Sequence, residues 1–335
     1  MIKQLSQELQ IFSPALQTHV ERKLSAVELE FEKYMSSEID IIARMGRYIF
    51  QSGGKRIRPM LVILSSKIAG YEGDQDVLFG AILEFIHTAT LMHDDIIDEA
   101  TQRRGQASLN SKWGNSLTVL MGDYLYTKAM SLALTRENMR ILRLLSDITL
   151  RMLEGEMISL ERNGDIRIAE QDHLDLVRRK TAYLFSGCAQ IGAILGKVDP
   201  QKESALENFG LHLGMAFQLI DDLLDFTSSE NVLGKPVGHD LQEGKITLPL
   251  IYMLERANGD QEIAAIRLAL IEKRYDAIPR ERLQHHLVQT NAFSDTEQKA
   301  KQYAQMAKTD LGVFPNSDAR SAMLELLDFV IQRSW

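Results

Sequence analysis

Two short acidic runs carry most of the chemistry this chain could do. His93-Asp94-Asp95-Ile96-Ile97-Asp98 closes one apolar segment, and Asp221-Asp222-Leu223-Leu224-Asp225 closes another. On a helix, residues three and four apart share a face. Asp94 therefore projects beside Asp98, and Asp221 beside Asp225. Thr90 and His87 lie one and two turns before the first pair, and Gln218 one turn before the second. Two carboxylates a turn apart repel, and a cation between them removes the repulsion. Oxygen-only ligands suit a hard ion such as Mg²⁺, which keeps waters and often shares substrate phosphates. One such cluster could equally be solvated acid at a helix end. At roughly 6% Asp, a given window matches Asp-Asp-x-x-Asp by chance about twice in ten thousand. Two clusters, each on a strongly apolar helix, read as the walls of a greasy cavity with a metal-lined mouth.

Basic islands alternate with these clusters. Gly53-Gly54-Lys55-Arg56-Ile57-Arg58-Pro59 sets three cations beside a flexible backbone at a helix start. Backbone N–H groups and the helix dipole favour an anion there, and arginine adds fork-shaped recognition of phosphate oxygens. The P-loop spacing is missing. Arg103-Arg104-Gly105 follows Asp98 closely. Arg178-Arg179-Lys180 runs into Thr181 and a long uncharged stretch, and Lys235 and Lys245 sit within and after the Gly-rich run Ser228–Gly244, a candidate lid. Any one of these cations is more often a solvated surface charge. Their alternation with acid argues for a polyanion held by metal on one side and cations on the other. His87 shares the Asp face and suits a phosphate donor, whereas His93 points elsewhere and reads as structural.

The elements that must position these groups are helices. Val20, Leu24, Val27, Phe31 and Tyr34 recur at helical spacing, as do Ile41, Met45 and Tyr48. Ser52-Gly53-Gly54 reads as a helix stop and Pro59 as the first residue of the next helix. Gly73-Asp74, Asn163-Gly164-Asp165 and Asp199-Pro200 read as turns. No period-two alternation, strand–helix–strand rhythm or repeat stands out, and Gly and Pro number only 21 and 7 of 335 residues. The expectation is one all-α domain over residues 1–335 of about a dozen helices, several of them long. The segment from about Gly259 onward is helical and charged and offers no chemistry by itself.

Composition limits the partners. With 38 basic against 46 acidic residues the net charge is −8, which argues against a protein that grips nucleic acid through phosphates. The single cysteine, Cys188, reads as a small buried hydrophobe and fits a reducing compartment. Met1–Glu8 has no apolar signal core, and the uncharged stretch Thr181–Gly196 falls short of a membrane span. A cytoplasmic location is the expectation.

In order along the chain stand Gly-Gly-Lys-Arg-Ile-Arg-Pro at Gly53, His-Asp-Asp-Ile-Ile-Asp at His93, Arg103-Arg104-Gly105, Gly122-Asp123, Lys180-Thr181, Gln218 with the second cluster, and Gly234-Lys235. This ordered set resembles the trans-isoprenyl (polyprenyl) diphosphate synthases of the bacterial long-chain type, from about Met45 to Leu250. The resemblance implies an isoprenoid synthase fold, an antiparallel helical bundle around a deep central cavity, a homodimer, and Mg²⁺, three ions per site once substrate is bound. It implies substrates, isopentenyl diphosphate and an allylic diphosphate such as farnesyl diphosphate, and a long all-trans product for quinone side chains. Carried over by motif, Gly54, Lys55, Arg58 and Arg104 would bind isopentenyl diphosphate with help from His87. Arg103, Lys180 and Lys235 would hold the allylic diphosphate, and Asp240 and Lys245 would close over it. Asp94 and Asp98 would ligate metal from one wall, Asp221 and Asp225 from the other. Thr181 and Gln218 would aim oxygens at the developing cation. Small residues at Ala89 and Thr90, beside the growing tail, imply a product heptaprenyl to decaprenyl in length. A shorter-chain synthase is the near alternative. A terpene cyclase would not need the second cluster or the Gly-Gly-Lys-Arg motif, a non-catalytic partner subunit would tend to lose one cluster, and a metal-binding scaffold would do no chemistry.

Overall fold

The computed structural model describes residues 13–103, 105–227, 238–256 and 260–332. Helix α1 (Pro14–Met35) starts where the Ser13 hydroxyl accepts the Leu16 N–H and Pro14 takes the first turn. Helix α2 (Asp40–Ser52) stops at Gly53, whose φ of 68° suits glycine. Helix α3 (Ile57–Ile68) begins two residues earlier than Pro59 suggests, with the proline inside its first turn. That turn needs no N–H from it. Helix α4 (Gln75–Ile97) is buried on nearly every face from Asp76 to Ile86, and Asp98 caps it.

A two-residue hairpin follows, β1 (Gln102–Arg103) antiparallel to β2 (Gln106–Ala107). The helical expectation omits it because strands this short leave no period-two signal. Then come α5 (Leu109–Trp113), α6 (Asn115–Leu134), α7 (Met139–Glu161) and α8 (Glu170–Val177). A π-helical turn, Arg178–Ala182, leads from α8 into α9 (Tyr183–Gly196). Helix α10 (Pro200–Thr227) begins at the dipeptide read as a turn: Asp199 caps it by accepting the Lys202 N–H at 3.0 Å. The remainder is α11 (His239–Gln242), α12 (Leu248–Glu255), α13 (Gln261–Ile271), α14 (Arg280–Gln289), α15 (Ala292–Asp310) and α16 (Asp318–Gln332). The molecule is all-α, as the periodicity predicts.

Helix α10 joins two apolar clusters. Its Leu206, Phe209 and Leu213 belong to the cluster built on α1–α4, α6, α7 and α9. Its Met215, Leu219 and Ile220 belong to the one built on α12–α15. Phe209 is fully buried, and truncating such a side chain removes about 3–5 kcal/mol. The neighbouring Gly210 lets α9 approach, since a Cβ there would lie 2.5 Å from the Phe185 carbonyl oxygen. Because α10 is gripped on both sides, its acidic end is held on a rigid element. Among the described residues no helix is long and apolar enough to cross a membrane. Cys188 is buried as expected, and burial pushes its thiol up to about 12.

Candidate active site

A cavity of about 950 Å³ opens among α3, α4, α7, α8, α9 and α10. Asp94, Thr90 and His87 reach it from α4, Asp221, Asp225 and Gln218 from α10, and Lys180 and Thr181 from the π turn. Gly54, Lys55, Arg58, Arg103, Asp240 and Lys245 complete the set that the motifs single out. Asp98 joins through Lys245, whose Nζ lies 2.9 Å from Asp98 Oδ2. Ala89 does not line the cavity; it is 3% exposed within the α4 core. On an α-helix Ala89 lies well round from Asp94, while Thr90, four residues before it, shares its face. Arg104, Lys235 and most of the candidate lid, residues 228–237, lie outside the described residues.

The first acidic wall is under electrostatic strain. Burial pushes the Asp94 carboxyl up to about 7, with Glu156 and Asp98 adding repulsion and Lys180 and Arg103 opposing it. Asp95 points the other way, buried, with its Oδ1 accepting from Arg103 Nε at 2.6 Å. Its pKa is raised, chiefly by burial. Arg103 thus spans from a structural acid to the cavity. As expected, His93 turns aside, its Nε2 3.3 Å from the Val119 carbonyl and 3.4 Å from Asp123.

The second wall is a hydrogen-bonded series. Thr181 Oγ1 donates to Gln218 Oε1 at 2.8 Å, and Gln218 Nε2 donates to Asp222 Oδ1 at 3.0 Å. His173 Nε2 stands 2.9 Å from Asp222 Oδ2. Gly238 donates its N–H to the Asp225 carbonyl at 2.8 Å, and Asp240 its N–H to Asp225 Oδ2 at 3.3 Å. The described end of the candidate lid is therefore tied to the second cluster.

The basic islands divide by role. Arg56 has φ 52°, and its guanidinium is buried between Glu28 at 2.5 Å and Glu84 at 2.7 Å. It braces α1 and α4. Both arginines line the cavity, but Arg58 sets its guanidinium 4.8 Å from the Phe185 ring centroid. Its Nε has no hydrogen-bond partner among the described residues, and burial lowers its pKa. A desolvated guanidinium of this kind is complementary to an anion.

Several contributing residues escaped the motifs. Lys180 Nζ pairs with Glu156 Oε2 at 2.6 Å, and Arg179 with Glu154 at 2.8 Å. Between those glutamates, Gly155 lets the π turn approach: a Cβ there would lie 2.6 Å from Arg179 Cβ. A glycine between two acids inside a helix was the available signal, since glycine weakens a helix interior. The Asn163-Gly164-Asp165 turn clasps the chain ahead of Lys245. Asn163 Nδ2 donates to the Glu243 carbonyl at 2.8 Å and Gly164 N–H to the Gly244 carbonyl at 2.9 Å. Gly244 has φ 80°, and a Cβ there would fall 2.0 Å from Asn163 Oδ1.

Among the described residues no group of three His, Cys, Asp or Glu side chains is gathered closely enough to hold a metal alone. The donors come as oxygen pairs on separate walls, and the strained Asp94 carboxyl is a place where a cation would be stabilising. This set fits a hard divalent ion that shares its coordination sphere with a bound anion.

Residues 39–278 match the family model described as polyprenyl synthetase. The chain is 38% identical over 313 residues to octaprenyl diphosphate synthase of Escherichia coli K12, covering 92% of this chain and 95% of that one. Among solved structures, a polyprenyl synthase from Caulobacter crescentus complexed with calcium and isoprenyl diphosphate superposes with a TM-score of 0.90 at 35% identity, covering 95% and 97% of the two chains. A decaprenyl diphosphate synthase from Rhodobacter capsulatus gives 0.88 at 32% identity, with both chains fully covered. A family match across most of the chain and relatives alike along nearly all of it agree with the cavity and its walls, and the chain belongs to the polyprenyl synthetase family.

Proposed function

We propose that this protein is a trans-polyprenyl diphosphate synthase that condenses isopentenyl diphosphate with an allylic diphosphate, such as farnesyl diphosphate, into a long-chain all-trans product. One observation carries the reading: Asp94 from one wall, Asp221 and Asp225 from the other, and the desolvated Arg58 face a single cavity, with Asp98 tied to it through Lys245. We read residues 1–335 as one domain, supported by α10 lying in both apolar clusters. We place it in the cytoplasm, in keeping with its one buried thiol.

Lys180, Arg103 and Lys235 hold the allylic diphosphate, and Gly54, Lys55, Arg58, His87 and Arg104 hold isopentenyl diphosphate. Asp94, Asp98, Asp221 and Asp225 would hold Mg²⁺, which when bound neutralises the leaving diphosphate. Breaking the allylic C–O bond leaves a carbocation on the chain and both bond electrons on diphosphate. Thr181 and Gln218 present oxygen to that cation. The C3=C4 π electrons of isopentenyl diphosphate form the new C–C bond. The proton then leaves C2, re-forming a double bond, and goes to the departed diphosphate. Leu91, Met152, Leu184 and Phe217 line the cavity and keep water from the cation.

An exposed apolar stripe supports a homodimer. Leu150, Leu153, Met157 and Leu160 recur along α7, and Leu117 and Leu120 stand on α6. Incubation with isopentenyl diphosphate, farnesyl diphosphate and Mg²⁺, followed by chromatography, tests the activity. Elongated all-trans products are expected, and either a cyclic hydrocarbon or no turnover would refute the reading.

A further inference from the structure

Asp222 and His173 have no part in the chemistry above, yet both line the cavity and both are buried, at 2% and 7% exposure. We propose that His173 is a positioning residue that, through Asp222 and Gln218, fixes which way the Thr181 hydroxyl points. This inference rests on the prenyl-transfer reading.

The argument is one of hydrogen-bond polarity. An ionised carboxylate only accepts. The end of Gln218 that faces Asp222 Oδ1 at 3.0 Å must therefore be its NH₂. The other end, Oε1, then faces Thr181 at 2.8 Å. A carbonyl also only accepts, so Thr181 spends its single proton on Gln218. Its lone pairs are left for the cavity, where the allylic cation would develop.

If the amide flipped, Thr181 would accept from Gln218 and aim its proton at the cation instead. Asp222 prevents the flip only while it is itself held. Its second oxygen, Oδ2, lies 2.9 Å from His173 Nε2, which must be the donor. His173 comes from α8, just ahead of the π turn that carries Thr181. The series therefore closes a ring between α8, α10 and the π turn, and each link has one allowed polarity.

The test compares His173→Leu and His173→Gln with wild type and repeats His173→Leu in a Thr181→Val background. Glutamine can place an N–H near the Nε2 position, and leucine cannot. His173→Leu should lower kcat roughly 10- to 100-fold, the scale for an outer hydrogen-bond partner. KM for both diphosphates and the Mg²⁺ concentration for half-maximal rate should stay within about twofold, and His173→Gln should recover most of the loss. With Thr181 already replaced, His173→Leu should cost less than about threefold, because residues acting as a unit are non-additive. The inference is overturned by an unchanged kcat, by an equal loss in both backgrounds, or by a loss that glutamine does not rescue. If the thermal midpoint shows that the leucine variant fails to fold, His173→Asn, with an amide too short to reach Asp222, takes its place against His173→Gln. Equal rates for those two would overturn it as well. Failure of wild type to elongate any primer would instead refute the prenyl-transfer reading.

Discussion

Asp94 illustrates how a single carboxyl links the fold to cation binding. Its pKa rises from 3.8 in the unfolded chain to about 7 in the cation-free protein, mainly through burial. The folded state thus holds this proton more tightly than the unfolded one. The associated stability is complete below about 3.8 and is lost as pH rises through 7, by at most a few kcal/mol. Metal-free protein should melt at progressively lower temperature across that window, and Asp94→Asn should flatten the slope. Divalent ions require the deprotonated carboxylate. Titration calorimetry of Mg²⁺ with a bound diphosphate, in buffers of different ionisation enthalpy, should show protons released below pH 7 and little release above it. Two neighbouring arginines make a sharper contrast. Arg56 is enclosed by Glu28 and Glu84, so Arg56→Ala strands buried charge and should destabilise the fold by about 3–5 kcal/mol. Arg58→Lys should leave the melting temperature nearly unchanged. It should raise KM for isopentenyl diphosphate at least about tenfold, because an ammonium cannot reproduce the fork.

At the scale of elements, the helices that end in acid were legible in advance. The apolar segments that the acids close pointed to the ends of α4 and α10, and the i, i+4 spacing put each aspartate pair on one face. What sequence could not reveal was how the walls are held. The π turn at Arg178–Ala182 has no local signature, and it packs against both α7 and α10, which are distant in sequence. Glu154, Gly155 and Glu156 look like ordinary helix surface until Arg179 and Lys180 arrive from another element. Gly155→Ala should therefore do more than stiffen a helix. Its Cβ would crowd Arg179, costing about 1–3 kcal/mol and displacing Lys180. The expected result is a lower melting temperature together with a raised KM for the allylic diphosphate. Resemblance also set Ala89 and Thr90 side by side as controls on chain length, and the helix separates them. Thr90→Phe projects into the cavity and should shorten the product on chromatography. Ala89→Phe projects into the α4 core and should instead reduce stability by overpacking.

The whole molecule presents a surface that a monomer would not be expected to keep. Leu120 on α6 and Met157 on α7 are 62% and 72% exposed, and Leu150, Leu153 and Leu160 extend the α7 stripe at helical spacing. Apolar residues repeated along one helix face form a contiguous patch, and such patches mark an interaction site. A second copy of the chain is the occupant that suits it, because a two-fold axis pairs a patch with itself and needs no complementary surface elsewhere. The net charge of −8 opposes association in general, so burial of apolar area must supply the contact. The interface would also back the site. Glu154 and Glu156, which hold Arg179 and Lys180, stand on the same helix as the stripe. Leu120→Lys combined with Met157→Lys should bury like charges against their symmetry mates. Sedimentation equilibrium should then read a monomer where wild type reads a dimer. Turnover should fall with KM for the allylic diphosphate raised, as α7 loses its support. A wild-type monomer at micromolar concentration would rule out the dimer, and a variant that stays dimeric would rule out this face as the contact.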